Sequence, residues 1–240
     1  MNRIDFLLHT PIAHRGLHSS KVPENSMPAF KAAINGRFPI ELDVHLIKSG
    51  EVVVFHDDNL KRLCGIDKEI RDCTKAELDE LYLNKTRERI PLLTDVLKLV
   101  NGKVPLLIEL KYDRPAGKLE DATLKILKAY KGKYALQSFN PLSIRYLKKA
   151  APRTPRGQLS SDFKKDKNVS RFAKGLLRDL RLFSISKPDF ISYAFDSLPN
   201  KHVEKYRQQG MPILGWTVRS VKDSQEALKY CDNIICEDIL

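Results

Sequence analysis

Short apolar runs alternate along the whole chain with segments whose apolar residues recur every three or four positions. The runs at 11–16, 40–46, 104–111, 134–139, 156–160, 188–195, 212–218 and 233–239 are the strand candidates. Between most of them, 26–36, 92–102, 119–132, 140–152, 200–210 and 221–231 carry the helical period. Gly36, Gly102, Gly132 and Gly210 stand where helix carboxy-terminal caps are expected. The run at 51–58 follows a Lys48-Ser49-Gly50 turn, and either extends the second strand or lies beside it as a short separate one. Residues 59–91 fit neither pattern and read as a small insertion after strand two, of the kind that covers a barrel mouth. No linker rich in Gly, Ser or Pro breaks the alternation, which predicts one domain over 1–240. Strands alternating with helices in this way predict an α/β fold, a TIM (β/α)8 barrel. The competing open, doubly wound sheet lacks its signature, because no G-x-G-x-x-G follows the first strand.

Composition leaves this picture unchanged. Hydrophobic residues make up 42% and the mean hydropathy is -0.36, so a sizeable core is available. No apolar run approaches the roughly 18 residues that span a bilayer, and the patch after Arg3 and Asp5 is too short for a secretory signal; no transmembrane segment and a cytoplasmic location are expected. Cys64, Cys73, Cys231 and Cys236 form no C-x-x-C pair and no zinc-like spacing, and read as reduced small hydrophobes rather than a disulfide frame.

Charge adds more. The net +12 is concentrated between Arg145 and Arg181, where twelve Lys and Arg accompany three Asp. Such a stretch either steers an anionic ligand toward the protein or forms a solvated helical face. No zinc finger, RNA-binding aromatic motif or basic zipper accompanies it, so no nucleic-acid partner is expected.

Chemistry-bearing side chains gather at the predicted strand ends: His14, Arg15, Glu41, Asp43, Glu109, Lys111, Ser138 and Trp216. In the barrel fold the carboxy-terminal strand ends build the site. Glu41, Asp43 and His45 share one strand face by the period of two. Burying Glu41, Asp43 and Glu109 together is costly unless something positive sits among them. Oxygen donors of this kind suit Mg2+ or Ca2+ better than zinc. Alternatively, Glu109 pairs with Lys111 on its own strand, and Glu41 and Asp43 meet arginines elsewhere. His14 and His56 each close an apolar run, and imidazoles titrate near neutral pH, so one can accept a proton while the other donates. Together with a metal and the cationic Arg15 and Lys111, they fit phosphoryl transfer. His45 lies further along its strand and reads as a neighbour of the acids rather than a ligand.

The pattern "AHRG", then "PENSMPAF", "IELDVHLIKSGEVVVFHDDNLKR" and "LIELK", resembles the glycerophosphodiester phosphodiesterase family, and "GWTV" and "NIICED" resemble its last two strands. The resemblance implies a TIM barrel that hydrolyses glycerophosphodiesters, small-molecule substrates, to sn-glycerol 3-phosphate and an alcohol with a divalent cation, Mg2+ or Ca2+. It also implies His14 and His56 as the acid/base pair, Glu41, Asp43 and Glu109 as metal ligands, and Arg15 and Lys111 as phosphate contacts. Glu24 and Asn25 of "PEN" then support the mouth of strand one. Phe139 and Trp216 are expected to pack on the glycerol or alcohol part. The chain departs from the family pattern at Ile47 and Ser49, where Thr and Asp are common, and at Cys236, where a Thr often stands. Two rivals remain at this level: a lysophospholipase D-like enzyme at a membrane surface, and a non-catalytic barrel that only binds phosphodiesters.

Overall fold

The computed structural model describes residues 3–111, 115–164 and 170–240, and its strands fall on the apolar runs. They are β1 (Ile12–Ala13), β2 (Ile40–Leu46), β3 (Val52–Val54), β4 (Leu106–Leu110), β5 (Tyr134–Ser138), β6 (Arg156–Ser160), β7 (Phe190–Ala194), β8 (Ile213–Val218) and β9 (Asn233–Cys236). The helices are α1 (Met27–Asn35), α2 (Lys61–Cys64), α3 (Lys75–Leu78), α4 (Leu93–Val100), α5 (Lys118–Leu127), α6 (Pro141–Ala150), α7 (Arg171–Arg178), α8 (Phe183–Ser186), α9 (Lys201–Gln208) and α10 (Val221–Ala227). Along the sheet the order is β1-β9-β8-β7-β6-β5-β4-β2-β3, and β1 also pairs with β2. Eight parallel strands therefore close on themselves, with β3 an antiparallel addition beside β2. This is the (β/α)8 barrel that the alternation predicts.

The chain packs as two units, 13–134 and 1–12 with 135–240. In the first, β2 is buried along its length up to Leu46, and its residues pair in parallel with β4, Asp43 opposite Glu109. α1 starts because Ser26 accepts the Ala29 amide at 3.4 Å and Pro28 supplies a preset φ in the first turn. Its Ala29, Phe30 and Ala33 form the buried stripe, and full burial of Phe30 alone contributes roughly 1.5–3 kcal/mol. α4 buries Leu93, Val96, Leu97 and Val100 by the same spacing. The 59–91 segment holds α2, α3 and two short 3-10 turns over a small core of its own, in which Leu60, Leu63, Ile70, Leu78, Leu83 and Ile90 pack with Phe55 of the preceding run.

In the second unit β5 to β9 pair in parallel in sequence order. Leu180, Phe183, Ile191, Tyr193, Val203, Ile213 and Cys231 form one of its cores. The first residues are tied in by Asn233, whose side-chain amide donates to the carbonyls of Leu7 at 2.6 Å and Thr10 at 2.7 Å.

Several expectations change. The first strand is two residues long rather than six, because the backbone turns into the left-handed region at Arg15 (φ 56°) and Gly16 (φ 79°). α5 stops at Leu127, so Gly132 lies beyond the helix and does not cap it. The basic stretch contains α7, and α8 follows it; the periodicity delimited neither, and α7 buries none of its residues and leaves Phe172 78% exposed. Lys165, Asp166 and Lys167 of that stretch lie outside the described residues.

Candidate active site

Three short segments of the first unit bring the predicted residues together. β1 ends at Ala13, in register with Ile40, so His14 leaves the strand at the level of Glu41. Glu41 is the second residue of β2 rather than one at its end; it becomes accessible to the site because β2 continues where β1 has stopped. The β2–β4 register sets Asp43 beside Glu109, and β3 then carries the chain back until the Phe55 amide donates to the Asp43 carbonyl at 3.0 Å, with His56 next.

The turn after β1 is held by its own polar groups. The Arg15 amide donates to Glu41 Oε2 at 3.1 Å, and the Arg15 carbonyl accepts the Asn25 amide at 3.0 Å. Both residues have positive φ, 56° and 53°, a conformation that costs free energy in non-glycine residues. Gly16 is required twice over: its φ is 79°, and a Cβ there would lie 2.9 Å from the Ala29 carbonyl carbon. Asn25 also donates from Nδ2 to Asp43 Oδ2 at 2.9 Å, so "PEN" and "AHRG" are parts of one construction.

Carboxylate oxygens of Glu41, Asp43 and Glu109 all lie within 4.8 Å of one another, with the three residues 1%, 0% and 7% exposed. Two cations approach them. Lys111 Nζ lies 2.9 Å from Glu109 Oε1 and 3.3 Å from Asp43 Oδ1, and Arg15 Nε lies 3.5 Å from Asp43 Oδ2. The ion pairs named as an alternative to a metal are therefore present, but they are distributed unevenly. Burial alone would raise Asp43, yet Lys111, with His56 and Arg15, holds it well below the usual carboxylate range. Glu41 is driven well upward by burial and then by the charges of Asp43 and Glu109. Glu109 is also raised, by burial against the opposing pull of Lys111. Three buried carboxylates with two cations leave a site short of positive charge, and its oxygen-only donors fit a hard divalent ion.

The imidazoles flank this cluster. His14 is buried, its Nε2 3.9 Å from Glu41 Oε2. His56 Nδ1 lies 2.6 Å from Asp57 Oδ1. A cleft of about 520 Å³ opens at His56, Asp57, Arg62 and Lys111. His45 contacts the backbone carbonyl of His56 at 3.3 Å, and burial, with Lys111 adding, pushes it down to about 4, so it stays neutral at physiological pH. Glu24 accepts from Arg15 Nη1 at 2.7 Å and from Arg62, which also binds Asp57. Asp57 and Arg62 were not among the expected site residues. Their local signal is the run His56-Asp57-Asp58 followed by Lys61-Arg62; the Glu24 partner, distant in sequence, has none.

Phe139 and Trp216 belong to the other unit. There they pack edge to face at 5.6 Å and 89°, with Phe163 against Phe139 at 6.0 Å. The Trp216 indole nitrogen is buried without a partner among the described residues.

The chain matches the model of the Glycerophosphoryl diester phosphodiesterase family over residues 14–238. It is 33% identical over 245 residues to a glycerophosphodiester phosphodiesterase of Caldanaerobacter subterraneus subsp. tengcongensis, covering 95% of this chain and 93% of that one. Its structure resembles a glycerophosphodiester phosphodiesterase from Thermotoga maritima, with a TM-score of 0.72, 29% identity, and 95% and 94% of the two chains covered. It also resembles a phosphodiesterase from Oleispira antarctica solved with the product sn-glycerol-3-phosphate, with a TM-score of 0.79, 24% identity, and 98% and 95% covered. The chain belongs to the glycerophosphoryl diester phosphodiesterase family, a family of phosphoric diester hydrolases.

Proposed function

We propose that this protein hydrolyses glycerophosphodiesters to sn-glycerol 3-phosphate and an alcohol, with His14 and His56 as the proton carriers and Glu41, Asp43 and Glu109 as the holders of a divalent cation, Mg2+ or Ca2+. The observation that carries the reading is the buried triangle of carboxylates, under 4.8 Å across, with an imidazole on either flank. When bound, the cation supplies positive charge to the phosphate oxygens. Among the described residues Lys111 gives two of its three donors to Glu109 and Asp43, and its third is proposed for the phosphate, with Arg15 as the second cationic contact. One imidazole takes the proton of the attacking hydroxyl, from water or from the substrate's own glycerol, and the other protonates the alkoxide as its bond to phosphorus breaks. Phe139 and Trp216, which pack edge to face, are proposed to contact the glycerol or alcohol part. No helix among the described residues is long and apolar enough to cross a membrane.

The test is release of glycerol 3-phosphate from a panel of glycerophosphodiesters, with EDTA and with added Mg2+ or Ca2+. Turnover that needs the cation and falls about 10²–10⁴-fold in His14→Ala and in His56→Ala is the expected result. Full activity in EDTA, or near wild-type rates in either variant, overturns the assignment. Turnover confined to lysophospholipids and raised by anionic vesicles selects the membrane-surface enzyme instead.

A further inference from the structure

Arg62, on α2 of the 59–91 segment, joins two carboxylates that each serve a different residue of the site. Nη1 donates to Glu24 Oε2 at 2.9 Å and Nη2 to Glu24 Oε1 at 2.7 Å. On its other edge Nε donates to Asp57 Oδ2 at 2.6 Å, and Nη2 reaches Asp57 Oδ1 at 3.0 Å. Glu24 Oε1 accepts in turn from Arg15 Nη1 at 2.7 Å, while Asp57 Oδ1 lies 2.6 Å from His56 Nδ1. The result is one unbroken chain, Arg15–Glu24–Arg62–Asp57–His56, closed by a single planar fork.

Stability alone explains this poorly. The Arg62 side chain is 47% exposed, and exposed ion pairs contribute little, whereas a guanidinium fork fixes the plane of each carboxylate it grips. Orientation matters at His56. The bonds from His56 and Arg62 outweigh burial and keep Asp57 ionised, so it can only accept, and Nδ1 must carry the hydrogen between them. That leaves Nε2 as the nitrogen free for a reacting group.

We infer that Arg62 is a positioning residue of the hydrolysis: by gripping Asp57 it fixes the tautomer and ring plane of His56, and by gripping Glu24 it fixes the guanidinium of Arg15. This rests on the roles proposed above for His56 and Arg15. The short helix α2 thereby becomes part of the site through one side chain, without touching the substrate.

The experiment is steady-state hydrolysis of glycerophosphocholine by Arg62→Gln, beside the ¹⁵N spectrum of the His56 ring. The expected result is a kcat loss of about 10–100-fold with KM changed less than about threefold, as for other residues that orient a catalytic imidazole. The ring spectrum changes from one tautomer to a mixture. Lys68→Gln, which breaks an exposed pair with Glu77 in the same segment, leaves kcat, KM and the ring spectrum at wild type. Wild-type kcat in Arg62→Gln, or a loss confined to KM, overturns the inference. Should Arg62→Gln melt far below wild type, Arg62→Lys carries the test: one ammonium cannot grip both carboxylates in plane, kcat must still fall several-fold, and an undiminished kcat is fatal. His56→Ala separates the two levels. If it keeps full turnover, the functional reading fails; if it is inactive while Arg62→Gln is not, only the role of Arg62 does.

Discussion

Asp43 and Glu109 face each other in register on adjacent parallel strands, and Lys111, two residues beyond Glu109, reaches both, at 3.3 Å and 2.9 Å. Parallel pairing with a period of two puts like charges side by side here, an arrangement that strand pairs ordinarily avoid. Its cost is only part offset, because Asp43 keeps its charge at the expense of Glu41 and Glu109, both raised.

A cation should therefore stabilise the fold, and more so at higher pH. Glu41 and Glu109 have folded-state values above their unfolded ones, so the stability they contribute is present below about pH 4 and is lost as pH rises through the raised values. A divalent ion removes that loss. At about one hundred times its dissociation constant it adds about 2.7 kcal/mol, or roughly 5–10 °C in Tm for a chain of this size. Thermal melts of EDTA-treated protein, with and without Mg2+ or Ca2+, should give the larger shift at about pH 8 than at about pH 5. No shift with either ion would refute metal binding.

Acid should act in the opposite direction through Asp57 and Glu24. Both are held below their ordinary values, against burial, by His56 and Arg62 for Asp57 and by Arg62 and Arg15 for Glu24. Their contribution is present above the unfolded value near pH 4 and is lost as pH falls through the folded ones. Urea midpoints should therefore fall below about pH 4, and Asp57→Asn should flatten that acid limb relative to wild type. An unchanged slope would show that Asp57 is not linked to folding.

Gly16→Ala should be among the most damaging one-carbon changes in the chain. It forces a side-chain residue to φ 79° and sets its Cβ 2.9 Å from the Ala29 backbone, against α1. A penalty of about 1–3 kcal/mol for the conformation alone lowers Tm by roughly 2–12 °C, and the close contact adds to it. Because Arg15 precedes it, kcat/KM should fall as well. Gly50→Ala is the contrast: its φ is also positive, 96°, but nothing lies within 4 Å. Equal melting of the two variants would remove the steric part of the argument.

The thiols should be slow to react in the native state. Burial pushes Cys64 up to about 11, and Cys231 and Cys236 up to about 12. At about pH 8 their thiolate fraction is then at least about two orders of magnitude below that of an unfolded cysteine. Alkylation by iodoacetamide, followed by mass spectrometry with and without denaturant, reads this directly; rapid native labelling of Cys231 would contradict its burial.

Residues of the candidate site differ in how legible they were. Glu41, Asp43, Glu109 and Lys111 stand out because each interrupts an apolar run, and a charge in a run of buried positions needs a reason whatever the fold. His14 and His56 stand out because each ends such a run. Asp57 and Arg62 do not, since a charge in a polar segment is ordinary, and their importance appears only when Arg62 meets Glu24, 38 residues away.

The sequence by itself determined the strands of the barrel and most of the helices between them, in their order. β2 and β6 take the bounds of their strand-like runs, 40–46 and 156–160, and helices with one buried face must repeat every three or four residues, as α4 does. Tertiary structure alone decided where a local rule gives way to a partner elsewhere in the chain. β1 stops after two residues because Arg15 and Gly16 take left-handed backbone that Glu41 and Asn25 hold in place. Glu41 lies near the start of its strand and still belongs to the site because strand lengths differ across the sheet. Periodicity records which way a side chain points along its own element. What it meets there depends on register and on closure between distant segments, and only the folded chain supplies both.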